Sequence, residues 1–445
     1  MINSNRVVSS GFNPTPTDFP MTNLPTTAEK DASFRLRIST FLLISGCLCT
    51  CANVPISLVL MHVGLAMMAT GVVIGARPVH RLPGFTWGCL FAAWQISGMV
   101  FRPEHDSRPL FRQGHGTTFI WFALFPAIVV LAESRWRRWA IRLLVLAVLA
   151  SFILALLQFF IGFGGQRPFR VSAGSGAKYT SAGFTPLHLT QGFIMTLTIL
   201  VLCSQQSSSR ASAFMLWSGR FMAAMAVLLA NSRSGFMALL GGFTAWFAAA
   251  QGRIRWWSVS VVVVGGPLLA AWIWIVNAAA LHALVNMEDG RLTIWRVAAH
   301  VVAEHPWFGV GEGRFAAAND IMLPKLYPDH SNDTWLNSPD AHNSILGLAS
   351  EHGIPAVLLF VAFIGSILRH LYRRRMENPH GWRLGCGAAA ALAFGSQFEH
   401  YAGHSAPSYA FFVALAFAVA IDRKWLESIG LVEAEKLAEE SLIKE

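Results

Sequence analysis

Apolar residues in this chain come in long unbroken runs rather than in the alternating patterns of half-buried elements. Twelve such runs fall near 36–55, 56–76, 82–101, 117–133, 139–163, 184–203, 213–230, 234–251, 256–276, 343–368, 384–400 and 405–422. At about 17–25 residues each they suit a hydrocarbon layer of roughly 30 Å, which a helix crosses with every backbone amide bonded internally. The expected fold is an all-α polytopic membrane protein of about 12 transmembrane helices. The same pattern divides the chain into a disordered cytoplasmic tail (1–35), helices 1–9 (36–276), a long outer loop with short helices (277–341), helices 10–12 (342–422) and a charged tail (423–445) that reads as a surface helix.

Composition agrees, with 54% hydrophobic and 13% charged residues, and it excludes a soluble globular protein. The six cysteines all lie in apolar runs without histidine partners, so neither a zinc site nor a disulfide framework is indicated.

Charge gives the topology. With the amino terminus inside, the basic loops RPVHR, ESRWRRW, QGRIRWW and RHLYRRRMENPHGWR all fall on the cytoplasmic side, as the positive-inside rule requires. The outer side nonetheless carries Arg102, Arg108, Arg112, Arg167, Arg170, Lys178, Arg233, Arg291, Arg296, Arg314 and Lys325. Cations pinned between apolar spans cost insertion free energy, so the set points to an anion site at the outer rim. Any single one could instead contact lipid headgroups or pair with Glu104, Asp106, Glu288 or Asp289.

Within the long loop, apolar spacing through Leu292, Trp295, Ala299 and Val302 predicts one short helix over 290–304, ended by His305-Pro306. The following PWFGVGEG sets Trp307 and Phe308 beside three glycines that permit a tight turn or a close backbone approach. A second outer loop, 164–184, is rich in Gly and Ser and holds Arg170 and Lys178, and NSRSG at 231–235 fixes Arg233 in a tight turn. His342 falls where the long loop becomes a helix. The nearby cations should lower its proton affinity, leaving a neutral imidazole to act as general base. Glu351, nine residues on, should face protein and pair across helices or with a buried arginine. Glu399, His400 and His404 form a further outer polar cluster of open role. The outer loops carry no Asp-x-Asp pattern, Glu288-Asp289 being the nearest approach, so neither a metal nor another cofactor is expected.

NSRSG at 231–235, GRLTIW with Arg291, PWFGVGEGRF, and AHNSILGLASEHG with His342, Glu351 and Gly353 together resemble the O-antigen ligase and polymerase superfamily of bacterial envelope enzymes. Where such proteins often place a glycine three residues after Gly353, this chain has Ala356 preceded by Pro355. The resemblance implies a multi-pass protein of the bacterial inner membrane with its active site facing the periplasm. It further implies a metal-independent, inverting glycosyltransferase that moves O-antigen glycan from undecaprenyl diphosphate to lipid A-core, with no nucleic-acid partner. Arg233 and Arg291 would match the family's essential arginines and His342 its essential histidine. Arg170, Lys178 and Arg296 join them as substrate-binding candidates from charge placement, with Trp307 and Glu351. A polymerase acting on lipid-linked repeat units and a non-enzymatic lipid-linked glycan transporter are the alternatives.

Overall fold

A computed structural model describes residues 27–53, 56, 58–101, 117–162, 168–169, 178–179, 182–185, 188–207, 209–250, 290–328, 336–401 and 405–431. Its helices are α1 (Thr27–Asn53), α2 (Leu58–Ile74), α3 (Phe85–Phe101), α4 (Leu124–Ala132), α5 (Ser134–Ile161), α6 (His188–Ser204), α7 (Arg210–Ala230), α8 (Arg233–Ala248), α9 (Arg291–Glu304), α10 (Phe315–Leu326), α11 (Ser344–His352), α12 (Ile354–Arg373), α13 (Pro379–Gly395), α14 (Ser405–Ala420) and α15 (Arg423–Ser428). A two-residue antiparallel pair joins Pro168–Phe169 to Lys178–Tyr179. The all-helical class is as expected.

Asp31–Asn53, Ser134–Ile161, Arg210–Ala230 and Ile354–Arg373 are long and apolar enough to cross a membrane, and Val59–Ile74, Phe119–Ala132, Leu189–Ser204 and Ala406–Ala420 are apolar but shorter. Phe160 on α5, Phe214 and Phe221 on α7, and Leu358 and Val361 on α12 are exposed. Such apolar exteriors belong against lipid rather than water. At the centre stands α14, whose residues from Ala410 to Val419 are all buried where it packs on α4, α6 and α13.

Several expectations change. Residues 27–35 are helical rather than part of a disordered tail, because TAEKDASFR offers a threonine start followed by good helix formers. The run at 343–368 is two helices, α11 and α12, meeting at Gly353. Gly353 has φ +84°, and Pro355, lacking an N–H, sits in the first turn of α12, so α11 cannot continue through it. Ala356, which stands where the resembled proteins often carry glycine, is fully buried. The eleventh run ends earlier, at Gly395, leaving Glu399 and His400 in the turn before α14. On α9 the buried face is Ile294, Val297, Ala298 and Val301, not the row Leu292, Trp295, Ala299 and Val302. The helix is rotated because that face packs on Phe315, Leu323, Leu336 and Ala341 in a separate apolar cluster of the loop. The run at 256–276, and with it QGRIRWW, lies outside the described residues.

The bundle has two distinguishable ends. At one, Arg374 pairs with Asp422 and Glu377, Arg137 donates to the Ala420 carbonyl at 3.3 Å, and Arg81 donates to the Ile429 carbonyl at 3.0 Å. Three of the basic loops therefore converge there, around α15. At the other end lie the start of α8, α9, the start of α11 and the turn between α13 and α14.

Candidate active site

Asn343 starts α11: its side-chain oxygen accepts from the amides of Ile345 (3.0 Å) and Leu346 (3.1 Å), satisfying donors that a helix start leaves free. The residue before it, His342, has φ +45°. Its amide donates to Asp340 Oδ1 at 2.8 Å, which holds the short Asp-Ala-His turn. The imidazole Nδ1 then lies 3.2 Å from Asp340 Oδ1 and 3.4 Å from Glu399 Oε1.

Glu399 arrives from far along the chain, and hydrogen bonds hold its segment against the start of α11. The Ser344 amide donates to the Ser396 carbonyl (3.0 Å), the Ser344 hydroxyl to the Glu399 carbonyl (3.3 Å), and Asn343 Nδ2 to Gln397 Oε1 (3.3 Å). The start of α11 is thus fastened to the α13–α14 turn.

These neighbours overturn the expected direction for His342. Burial lowers its proton affinity. The hydrogen bond to Glu399 and the charges of Asp340 and Glu399 together outweigh burial and the opposing charge of Arg291, so its pKa is raised from the ordinary value. The expectation considered the cations alone. The carboxylates, one of them 57 residues away, decide the sign.

Arg291, the first residue of α9, is half-buried, and its guanidinium carbon lies 5.9 Å from the centre of the Phe398 ring. Its charge reaches both His342 and Tyr401. Arg233 is the first residue of α8, flanked by serines. Ser232 accepts from the Gly235 amide at 3.1 Å and shares a 2.8 Å hydrogen bond with Ser234. The buried Tyr401 hydroxyl sits 2.6 Å from Ser234 Oγ and 3.0 Å from the Leu189 carbonyl oxygen, while its ring stacks on Phe193 at 4.1 Å. Burial pushes the Tyr401 phenol pKa up, so it remains a hydroxyl. Tyr401 therefore ties the Arg233 segment to the turn bearing Glu399.

The glycine turn after α9 does make the close approach expected of it. Val310 N donates to the Ser350 carbonyl (2.8 Å), Gly311 N to the Glu351 carbonyl (2.9 Å), and Ile354 N to the Pro306 carbonyl (2.8 Å). Trp94 Nε1 donates to the His352 carbonyl at 3.1 Å. A Cβ on Gly353 would stand 1.8 Å from the Trp307 oxygen, and one on Gly309 2.4 Å from the Glu351 carbonyl carbon. The Glu351 side chain is buried inside this joint: Oε1 accepts from the Gly313 amide at 3.0 Å and Oε2 lies 3.8 Å from His400 Nε2. It pairs across elements, as expected of it. Phe308 stacks on Trp94 at 4.8 Å, whereas Trp307 is 67% exposed.

Of the remaining sequence candidates, Arg296 is exposed on α9, its carbonyl oxygen 2.8 Å from His300 Nδ1. Arg170 lies outside the described residues, as does Glu288-Asp289, and Lys178 is placed only through its backbone pairing with Phe169. Sequence reasoning missed Asp340 and left Glu399 open. Asp340 carried a faint signal in its spacing to His342; Glu399 carried none. Donor atoms of Asp340, His342 and Glu399 lie within 4.8 Å of one another, a set that could hold a cation.

No curated protein matches this chain. Residues 219–361, running from within α7 to within α12, match the family model described as O-antigen ligase. Over that segment the chain is similar to O-antigen ligases, which supports the superfamily resemblance of the NSRSG, GRLTIW, PWFGVGEGRF and AHNSILGLASEHG motifs.

Proposed function

We propose that this protein is a glycosyltransferase of about twelve membrane spans, in the bacterial inner membrane, that transfers O-antigen glycan from undecaprenyl diphosphate to lipid A-core on the periplasmic face. The observation that carries the reading is an imidazole set against two carboxylates, with Arg291 within electrostatic reach, inside a segment similar to O-antigen ligases.

That geometry supports the following chemistry. Both carboxylates address Nδ1, so the neutral ring carries its proton there and presents Nε2 as the acceptor. A carboxylate behind a histidine orients it and stabilises the imidazolium that forms, the logic of hydrolase triads. Nε2 takes the proton of an acceptor sugar hydroxyl as that oxygen bonds to the anomeric carbon, and the bond to the diphosphate oxygen breaks on the far face with inversion. Arg291 and Arg233 stabilise the negative charge growing on the departing diphosphate in place of a divalent ion. Arg170, Lys178, Arg296 and Trp307 would bind the substrates around this centre, with Glu351 holding the loop against it.

A specific observation favours a second reading: the Asp340, His342 and Glu399 donors have the spacing of a cation site, which would make transfer metal-assisted. Purified protein with lipid-linked glycan and lipid A-core, assayed with and without excess chelator, separates the two. Turnover that persists in chelator and disappears in His342→Ala supports the metal-free base. Loss of wild-type turnover in chelator supports the ion, and undiminished turnover in His342→Ala removes both. A polymerase would extend lipid-linked repeat units in the same assay without lipid A-core, and a transporter would transfer nothing.

A further inference from the structure

The first turns of α5, SRWRRWAIR, split into two faces. Arg137 points inward and donates to the Leu131 and Ala420 carbonyls. Arg135, Arg138, Trp139 and Arg142 fall within an arc of about 100° on the other side, at 100° per residue, and all four are exposed. The Arg142 guanidinium lies over the Trp139 ring at 5.0 Å, and that of Arg135 over Trp136 at 4.9 Å. None of these three arginines forms an ion pair or hydrogen bond among the described residues, although Arg138 and Arg142, four apart, repel one another.

The depth of this face is set by the helix itself. From Leu143 to Ile161 α5 is free of charge, and at 1.5 Å per residue this stretch spans about 28 Å, the thickness of a hydrocarbon core. Arg142 therefore sits at the edge of the hydrocarbon, with Arg138 and Arg135 one and two turns above it at phosphate level, and Trp139 between them where indoles settle. Three unneutralised guanidinium groups stacked through this layer match the phosphates of an acidic lipid, which accept two hydrogen bonds from one guanidinium. We propose that this face of α5 is a binding site for the headgroup of an anionic phospholipid. The inference rests on α5 crossing a membrane and not on the transfer reaction.

Native mass spectrometry of the whole protein from micelles containing equal phosphatidylglycerol and phosphatidylcholine reads the preference directly. The combined Arg135→Gln, Arg138→Gln and Arg142→Gln variant should lose on the order of a hundredfold in selective phosphatidylglycerol retention, about fivefold per guanidinium from roughly 1 kcal/mol each. A matched variant, Arg369→Gln, Arg373→Gln and Arg375→Gln, removes the same charge from α12 and its end and should lose little. Equal loss in both would reduce the effect to diffuse attraction, and no loss in the first would abolish the site; either overturns the proposal. The milder Arg142→Lys variant keeps the charge but not the fork and should fall a few-fold, which covers the case of a triple variant that does not fold.

Discussion

Gly353→Ala tests how much the joint between the glycine turn and the broken helix contributes. The residue sits at φ +84° and ψ 170°, a region open essentially to glycine, and holding alanine there costs about 1–3 kcal/mol. The added methyl would also stand 1.8 Å from the Trp307 carbonyl oxygen, backbone that cannot rotate away, so the turn at 306–311 must lift. Lifting it strains or breaks three hydrogen bonds, to the carbonyls of Ser350, Glu351 and Pro306, each worth about 1 kcal/mol. We expect a local loss of about 3–6 kcal/mol. The control is Gly365→Ala on the same helix, where a Cβ meets nothing within 4 Å and helix propensity should add about 0.5–1 kcal/mol. Hydrogen–deuterium exchange over peptides spanning 306–313 and 344–354, with thermal melting in detergent, reads both. If Gly353→Ala keeps wild-type protection in those peptides, the turn is not held by this contact and the reasoning fails.

The raised proton affinity of His342 sets a pH dependence. In its proposed role as base His342 must be neutral, so turnover should rise with pH through a midpoint above the ordinary imidazole value of about 6.5. Glu399→Gln removes the carboxylate that raises the affinity and should move this limb to lower pH, whereas Arg291→Gln removes an opposing charge and should move it to higher pH while depressing turnover. Limbs that coincide in all three proteins would dissociate His342 from the rate. Tyr401→Phe deletes the 2.6 Å contact with Ser234 but keeps the ring stacked on Phe193. It should cost about 0.5–1.5 kcal/mol of stability, the worth of the hydrogen bond lost, since Ser234 keeps Ser232 at 2.8 Å, and lower kcat more than it alters KM; a melting temperature equal to wild type would contradict the tie.

Much of this architecture was legible in the chain because it is written in local patterns. Apolar runs announced the helices, and the helix over 291–304 ended at His305-Pro306 as the proline requires. His342 stood out because a loop-to-helix boundary and its flanking motif are contiguous. What stayed hidden depended on distant partners. Glu399 reaches His342 across 57 residues, and no spacing within AHNSILGLASEHG encodes a carboxylate arriving from the next turn, which is why the proton affinity was assigned the wrong direction. The rotation of the loop helix escaped for the same reason: Ile294 and Val301 face inward only because Phe315 and Leu336 stand opposite. The break at Gly353 is a different case, since Gly-Ile-Pro is a helix-stopping signal that the long apolar run obscured.

The end of the nine-residue helix before Gly353 has a consequence for traffic. Its last three carbonyls, of Ser350, Glu351 and His352, are met in turn by Val310 N, Gly311 N and the Trp94 indole. Swinging the turn outward like a door would strip the first two acceptors, which belong to the buried residues Ser350 and Glu351, of their donors, at a cost of about 1–3 kcal/mol each. In the proposed reaction, two lipid-borne reactants would enter and leave around a stationary post, with any gating motion left to elements other than this one.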